Sequence, residues 1–452
     1  MEGALAFGDI RVARNAERLI DRVVSTGSLV LRDLGETRAG ELAVARFLSS
    51  PYVSVAAIVA IAAERTALAC AGRRVLAVQD TSEINFSGRD KRRRGFGPGG
   101  DGKTPGYFIH PVIAVDVESE AVLGLVDASI WTRREGPKSG RRSRLLEDKE
   151  SKRWLDGCRV ASEVLHEARS VTMVADRESD IFALFAHKPE RLDVIVRAAQ
   201  DRCLAGGGRL FQALDDVAAL GRQAVRVAAR GLGEKERIAT VELRAKRVTI
   251  ARPRNGLVEG MPKSIELTLV EAREIDAPIG AIPLLWRLLT THTVTTLEAA
   301  DEVVNLYRLR WRIEQTFRTL KSDGLALEDS QVIDARRMFH LAALGLVGAV
   351  RTMQLVDARN GSIRPATDVI DDACIPALER LSAKLEGKTE KQKNPHPKGS
   401  LAFVAWVAAR LGGWNCYYKP PGPKTMRNGW NKLTAMIEGY LLATQEQNLR
   451  IP

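Results

Sequence analysis

Tyr307, Arg310, Glu314 and Lys321 follow one another at steps of three, four and seven residues in the stretch YRLRWRIEQTFRTLK. An α-helix turns about 100° per residue, so those steps return side chains to nearly the same face. The stretch reads as one helix beginning near Leu297, with the four residues inside an arc of roughly 60° and Arg318 beside them. Leu306, Leu309, Ile313, Phe317 and Leu320 fill a separate apolar arc that would pack. The polar face then presents one carboxylate among cations and a phenol. An ordinary amphipathic helix with a solvated polar side has the same pattern, so the helix alone decides nothing.

Two further carboxylates end short apolar runs: Asp80 closes RVLAVQD and Asp176 closes VTMVAD. Open α/β sheets carry their sites outside the carboxyl ends of strands. One aspartate at such a place is commonly a cap or a turn former. Three carboxylates that one fold would gather suggest a different use. Phosphodiester cleavage employs two divalent ions about 3.5 to 4 Å apart, one at the attacking oxygen and one at the leaving oxygen. Magnesium takes hard oxygen ligands, which a carboxylate triad supplies.

The elements that must position these groups follow in order. Residues 8 to 70 read as short helices, with Ser54 the N-cap of a helix over Val55 to Cys70 after the Ser49 to Pro51 break. Their many arginines suit a helical DNA-binding unit or a merely soluble surface. From Arg74 the pattern turns to strands: the run ending in Asp80, then Tyr107 to Val117 and Ala121 to Trp131, together a three-stranded meander. Leu145 to Arg169 reads as helix, Val171 to Asp176 as strand, Ser179 to Ala186 as helix and Leu192 to Val196 as strand. That order is the order of a ribonuclease-H-like α/β core. Residues about 198 to 280 interrupt it with basic strands at Ala224 to Ala229, Ile238 to Leu243, Arg247 to Ala251 and Ile265 to Glu271, before PLLWRLLTT restores a core strand. Val332 to Ala358 reads as a buried apolar helix broken up by arginines, Lys384 to Ser400 as a linker, and Leu401 to Leu411 and Thr425 to Leu442 as amphipathic helices fit to bury a face against a partner chain.

The 452 residues allow two or three domains, and a formal net charge of +12 suits a surface that meets a polyanion. Five scattered cysteines without a CxxC pair imply reduced core residues and no zinc site. No signal peptide is recognisable and no apolar run reaches the length of a membrane span, so a cytoplasmic protein is expected. GPGGDGKT at Gly97 to Thr104 fits the phosphate-loop pattern but runs into Pro105-Gly106 and a strand instead of opening a helix, which argues against a nucleotide cofactor. It reads as a flexible loop following LysArgArgArg (Lys91 to Arg94), and Arg133 to Arg144 as a second basic stretch that tracks DNA or merely turns at the surface.

VQDTS at Val78 to Ser82, VADRESD at Val174 to Asp180, PLLW at Pro283 to Trp286 and the Y-x2-R-x3-E-x6-K spacing of Tyr307, Arg310, Glu314 and Lys321 resemble the insertion-sequence-four (IS-four) family of bacterial DDE transposases. Ser82 and Ser179 depart from that family's usual threonine and alanine. The resemblance implies an α/β fold: a ribonuclease-H-like catalytic core with a β-rich insertion, flanked by all-α N-terminal and C-terminal domains. The boundaries expected are 1–72 for DNA binding, 73–360 for catalysis, 361–400 for a helix and linker, and 401–452 for dimerisation. It implies that Asp80, Asp176 and Glu314 hold two Mg2+ ions, with Mn2+ able to substitute. Arg310, Lys321, Tyr307 and Arg318 would then contact DNA, and Trp286 would stack on a flipped base. The implied partners are double-stranded DNA at transposon ends and target, and a second copy of the chain in a synaptic homodimer, with no membrane. A nuclease without strand transfer and a non-catalytic DNA-binding repressor are the rival expectations.

Overall fold

The computed structural model describes residues 7–86, 93–133, 150–227, 237–254, 260–278, 280–321, 325–359, 361–362, 364–370, 372–417 and 419–448. In chain order the helices are α1 (Ile10–Thr26), α2 (Leu31–Gly35), α3 (Arg38–Ser49), α4 (Val55–Cys70), α5 (Lys152–Val164), α6 (Phe182–His187), α7 (Leu297–Arg308), α8 (Trp311–Lys321), α9 (Ala335–Ala358), α10 (Ile375–Leu385), α11 (Leu401–Leu411) and α12 (Pro423–Asn448). The strands are β1 (Arg74–Gln79), β2 (Ser82–Asn85), β3 (Gly97–Pro98), β4 (Pro105–Asp116), β5 (Val122–Trp131), β6 (Ser170–Ala175), β7 (Leu192–Arg197), β8 (Gly221–Val227), β9 (Arg237–Ala251), β10 (Ser264–Glu274) and β11 (Leu285–Thr290). The fold is α/β, and it divides into two compact units: residues 1–72, 81–135 and 312–452 form one, residues 73–80 and 136–311 the other.

The first unit is built around α9. Its sequence is long and apolar enough to cross a membrane, yet 94% of its most apolar stretch is buried within the protein. α1, α3, α4, β5, α11 and α12 pack on it. A Cβ on Gly348 would lie 2.7 Å from Val23 Cγ1, so glycine there is what lets α1 approach. Ser54 caps α4 as expected, accepting from the Ala57 amide. The Thr66 hydroxyl of α4 donates to the Leu125 carbonyl of β5 at 2.8 Å, fixing helix to sheet. β4 pairs antiparallel with β5, and also with β2 and β3.

Two expectations for the carboxyl-terminal part are overturned. Residues 384–400 are not a free linker: Asn394 Nδ2 donates to Ser382 Oγ and to the Phe403 carbonyl, and the Ala366 and Leu401 amides bond across to Gly399 and Arg364. Nor is α11 amphipathic, because every residue from Leu401 to Ala409 is buried. LAFVAWVAARL is apolar around its whole circumference, the pattern of a helix enclosed on all sides.

In the second unit β1, β6 and β7 are parallel, and β11, β10, β9 and β8 continue the sheet antiparallel. The residues read as an insertion thus extend the core sheet through β10 and β11. Ile238 to Leu243 and Arg247 to Ala251 are parts of one 15-residue strand, β9. α5 covers β1, where Gln79 Nε2 donates to the Trp154 carbonyl at 3.1 Å. Residues Ala300, Val303, Val304, Leu306 and Tyr307 form the buried side of α7.

Candidate active site

β1 and β6 are apolar runs whose interiors are wholly buried, the form of strands covered on both faces. Val78 pairs with Val174 in the parallel register, so Asp80 and Asp176, each two residues further on, leave the ends of neighbouring strands side by side. Neighbouring strands lie about 4.8 Å apart. Both aspartates are half-buried. At Asp176 the backbone is still extended, and its carbonyl accepts both the Ser179 amide at 2.9 Å and the Ser179 hydroxyl at 2.6 Å. Those bonds close the turn Arg177–Ser179 and leave the Asp176 carboxylate outside it. The serine at 179 is thus spent on a turn.

The second aspartate of VADRESD has another task. Asp180 is buried and takes two bonds from Arg202, at 3.0 Å from Nε and 2.6 Å from Nη2, plus the amides of Ala199 at 2.8 Å and Gln200 at 3.0 Å. This pins the segment after β7 under the turn that carries Asp176. Nothing in the spacing of Asp180 and Arg202 announces the pair. A second buried acid, Glu271, binds Arg287 and Arg273 on the same sheet.

Tyr307 and Arg310 meet the two aspartates. The Tyr307 phenol donates to Asp176 Oδ1 at 3.0 Å, and Arg310 Nη1 to Asp80 Oδ2 at 3.0 Å. Tyr307 is buried, not on an open polar face; burial first, and then the Asp176 carboxylate, push its phenol well above the ordinary tyrosine range. A proton held so firmly suits a donor and not a nucleophile. Trp286 of β11 sets its ring edge-on to Tyr307, centroids 5.2 Å apart.

The expected single helix is two. α7 ends at Arg308 and α8 starts at Trp311. Between them the Leu309 amide is shared between the Asn305 and Leu306 carbonyls and the Arg310 amide bonds to Tyr307, so the last turn tightens toward three-residue spacing. Tyr307 therefore belongs to the end of α7 and Arg310 to the turn after it, while Glu314 and Lys321 belong to α8.

Glu314 lies half-buried in the first turn of α8, in the first unit. Within that unit the Lys321 ammonium donates to the Glu83 carbonyl and stands 3.5 Å from Glu328. Arg318 is exposed. The phosphate-loop imitation at Gly97 to Thr104 is closed on itself: Asp101 accepts the Lys103 and Thr104 amides and the Thr104 hydroxyl, which hold its carboxyl down to about 2. β4 and not a helix follows it. Lys91 and Arg92 of the preceding basic run, and Arg133 to Arg144 apart from Arg133 itself, lie outside the described residues; the Arg133 guanidinium sits 4.1 Å above the Phe108 ring.

Among the described residues no group of three or more His, Cys, Asp or Glu side chains is gathered tightly enough to hold one metal ion. Asp80 and Asp176 nevertheless form a pair of hard oxygen donors on a rigid sheet, chemistry that fits magnesium or manganese and not a soft thiophilic metal. Cys70, Cys158 and Cys374 are buried as expected of core residues, but Cys203 is exposed and Cys416 half-buried. A family model described as a transposase DDE domain matches residues 73–347, more than half of the chain, from the first residues of the β1 region into α9.

Proposed function

This chain belongs to the family of the transposase DDE domain, and on that premise we propose that it cuts the ends of a mobile DNA element and joins them to target DNA. The observation that carries the proposal is the in-register exit of Asp80 and Asp176 from β1 and β6, each already met by a donor from the chain's own signature residues. Glu314 completes the carboxylate set in this reading. Asp80, Asp176 and Glu314 would hold divalent ions, which when bound would supply activation of the attacking oxygen and neutralisation of the leaving one.

The protein's own groups do the rest. Arg310 and Tyr307 give up their bonds to Asp80 and Asp176 when DNA enters and turn to the non-bridging oxygens of the phosphate to be cut. A guanidinium suits that role because its planar fork matches a phosphate in two places. Lys321 and Arg318, on the carboxyl-terminal turns of α8, add positive charge along the backbone of the DNA end. Trp286 offers an aromatic face for an unpaired base, worth about 1–3 kcal/mol, as a hairpin forms. In the first step water adds to phosphorus and the element's 3′ oxygen leaves; in the second that 3′-hydroxyl attacks the phosphate of the opposite strand, the 3′ oxygen of the flanking DNA leaves, and a hairpin closes on the element end, which water reopens to free the 3′-hydroxyl for attack on target DNA. The YREK spacing and the parallel β1–β6–β7 order support placing the chain in the IS-four group with a ribonuclease-H-like core. Its net charge supports a DNA partner, and two copies would bridge two ends, which makes Mg2+-dependent synapsis by a homodimer in a bacterial cytoplasm the setting proposed.

The test mixes the full chain with linear DNA ending in the inverted repeats that flank its gene, with and without Mg2+. Hairpinned ends followed by joined products support the proposal. Cut ends that never join reduce the protein to a nuclease, and binding without cutting leaves a repressor.

A further inference from the structure

Arg312 and Asp357 form an ion pair inside the first unit, Nη1 to Oδ1 at 2.8 Å, with the carboxylate side chain only 5% exposed. Asp357 Oδ2 also accepts the Val122 amide of β5 at 2.9 Å. The same strand end is held twice more, by Gln354 Nε2 on the Leu123 carbonyl at 2.6 Å and by Arg364 Nη1 on the Val122 carbonyl at 2.8 Å. Asp357 therefore sits on a fixed frame of α9 and β5. Burial pushes its carboxyl up, against the pull first of Arg312 and then of the Val122 amide, Arg359 and Arg364.

Arg312 lies two residues before Glu314 in α8. Two residues turn a helix by about 200°, so the two side chains leave opposite sides. Thr319, seven residues after Arg312 and on its side, reaches Met353 Sδ of α9 at 3.6 Å. Lys321, seven residues after Glu314, falls on the Glu314 side and holds the Glu83 carbonyl. One side of α8 is thus tied to α9 by Arg312 and Thr319, and the other is left to Glu314.

We infer that Asp357, ten residues beyond the matched domain, is a positioning residue that fixes the rotation of α8 through Arg312 and thereby aims Glu314. The inference rests on the reading of Glu314 as a catalytic carboxylate. A buried charge pair whose one member is removed leaves the other uncompensated, so the surviving partner must shift and α8 turns with it.

Asp357→Asn keeps an acceptor for the Val122 amide and removes only the charge. Its single-turnover cleavage of pre-bound DNA ends is expected to fall at least about tenfold, with end-DNA affinity within about twofold of wild type. Arg312→Gln, whose side chain is less enclosed, is expected to do the same, and the double variant to be no slower than either single one, because they break one link. If Asp357→Asn does not fold, Arg312→Gln against Arg312→Lys carries the comparison, the lysine restoring part of the rate. Wild-type cutting by the variants, additive losses, or a rate that falls only in step with DNA affinity and melting temperature overturns the inference. Glu314→Gln runs beside them: if it still cuts, the reading of Glu314 fails and takes the inference with it. A dead Glu314→Gln beside a normal Asp357→Asn overturns the positioning role alone.

Discussion

Asp180 gives the sharpest test of how the site is held. Replacing it with alanine leaves Arg202, 7% exposed, without its carboxylate and with only the main-chain carbonyl of residue 180 to bond, and leaves the amides of Ala199 and Gln200 without acceptors. Removing one member of a buried pair costs about 3–5 kcal/mol. Each orphaned buried amide adds about 1–3 kcal/mol, the terms overlapping because all four bonds share one carboxylate. A domain's whole stability is about 5–15 kcal/mol, so Asp180→Ala should unfold at a far lower urea concentration, with a loss of at least about 4 kcal/mol. Asp180→Leu combined with Arg202→Met removes the stranded charge and should recover more than half of that loss. Urea unfolding followed by tryptophan fluorescence reads both. A loss below about 1 kcal/mol would refute the reasoning, as would a stable Asp180→Ala protein that has lost only cleavage, since Asp180 would then belong to the chemistry and not to its support.

Two further outcomes follow from the buried groups. The phenols of Tyr107 and Tyr307 both have pKa values raised by burial, and the Tyr107 hydroxyl has no hydrogen-bond partner among the described residues. A folded value above the unfolded one of about 10 means stability intact below that pH and lost as pH rises through it. Melting temperature should fall from about pH 9 upward, and less steeply in Tyr107→Phe; an unchanged slope would contradict the assignment. Asn394→Ala, which frees the strap from Ser382 and the Phe403 carbonyl, should speed tryptic cutting at Lys388, Lys391 and Lys393 severalfold, whereas equal cutting of both proteins would mean that the strap is not held there.

The strand ends were readable because physics writes them into the sequence directly. A short, mostly apolar run closing in one aspartate, as at Asp80 and Asp176, has few other readings, and its register then follows from the sheet. The break between α7 and α8 was not readable, for it rests on the Leu309 amide being shared between two carbonyls and the Arg310 amide bonding three residues back, and it carries no glycine or proline to mark it. A helical wheel assumes the continuity it is used to infer, and at Tyr307 that assumption put a buried phenol on an open face. Residues 384–400 misled by composition: lysines and prolines look like a tether, while bonds from Asn394, Thr389 and Lys398 and to the Gly399 carbonyl fold the segment down. α11 could have been read correctly, since LAFVAWVAARL has no polar face to give to solvent. The ion pairs Asp180–Arg202 and Arg312–Asp357 join residues 22 and 45 apart, and no local pattern links such partners.

Asp80, Asp176 and Glu314 are proposed to serve one metal-dependent centre. This is tested most directly by loading the DNA-bound protein with Fe2+ in place of Mg2+ and generating hydroxyl radicals at the ion with ascorbate and peroxide. Chain fragments ending near residues 80, 176 and 314 together, all suppressed by excess Mg2+, are the result predicted. Scission at the two aspartates without Glu314, or at none of the three, would contradict the account.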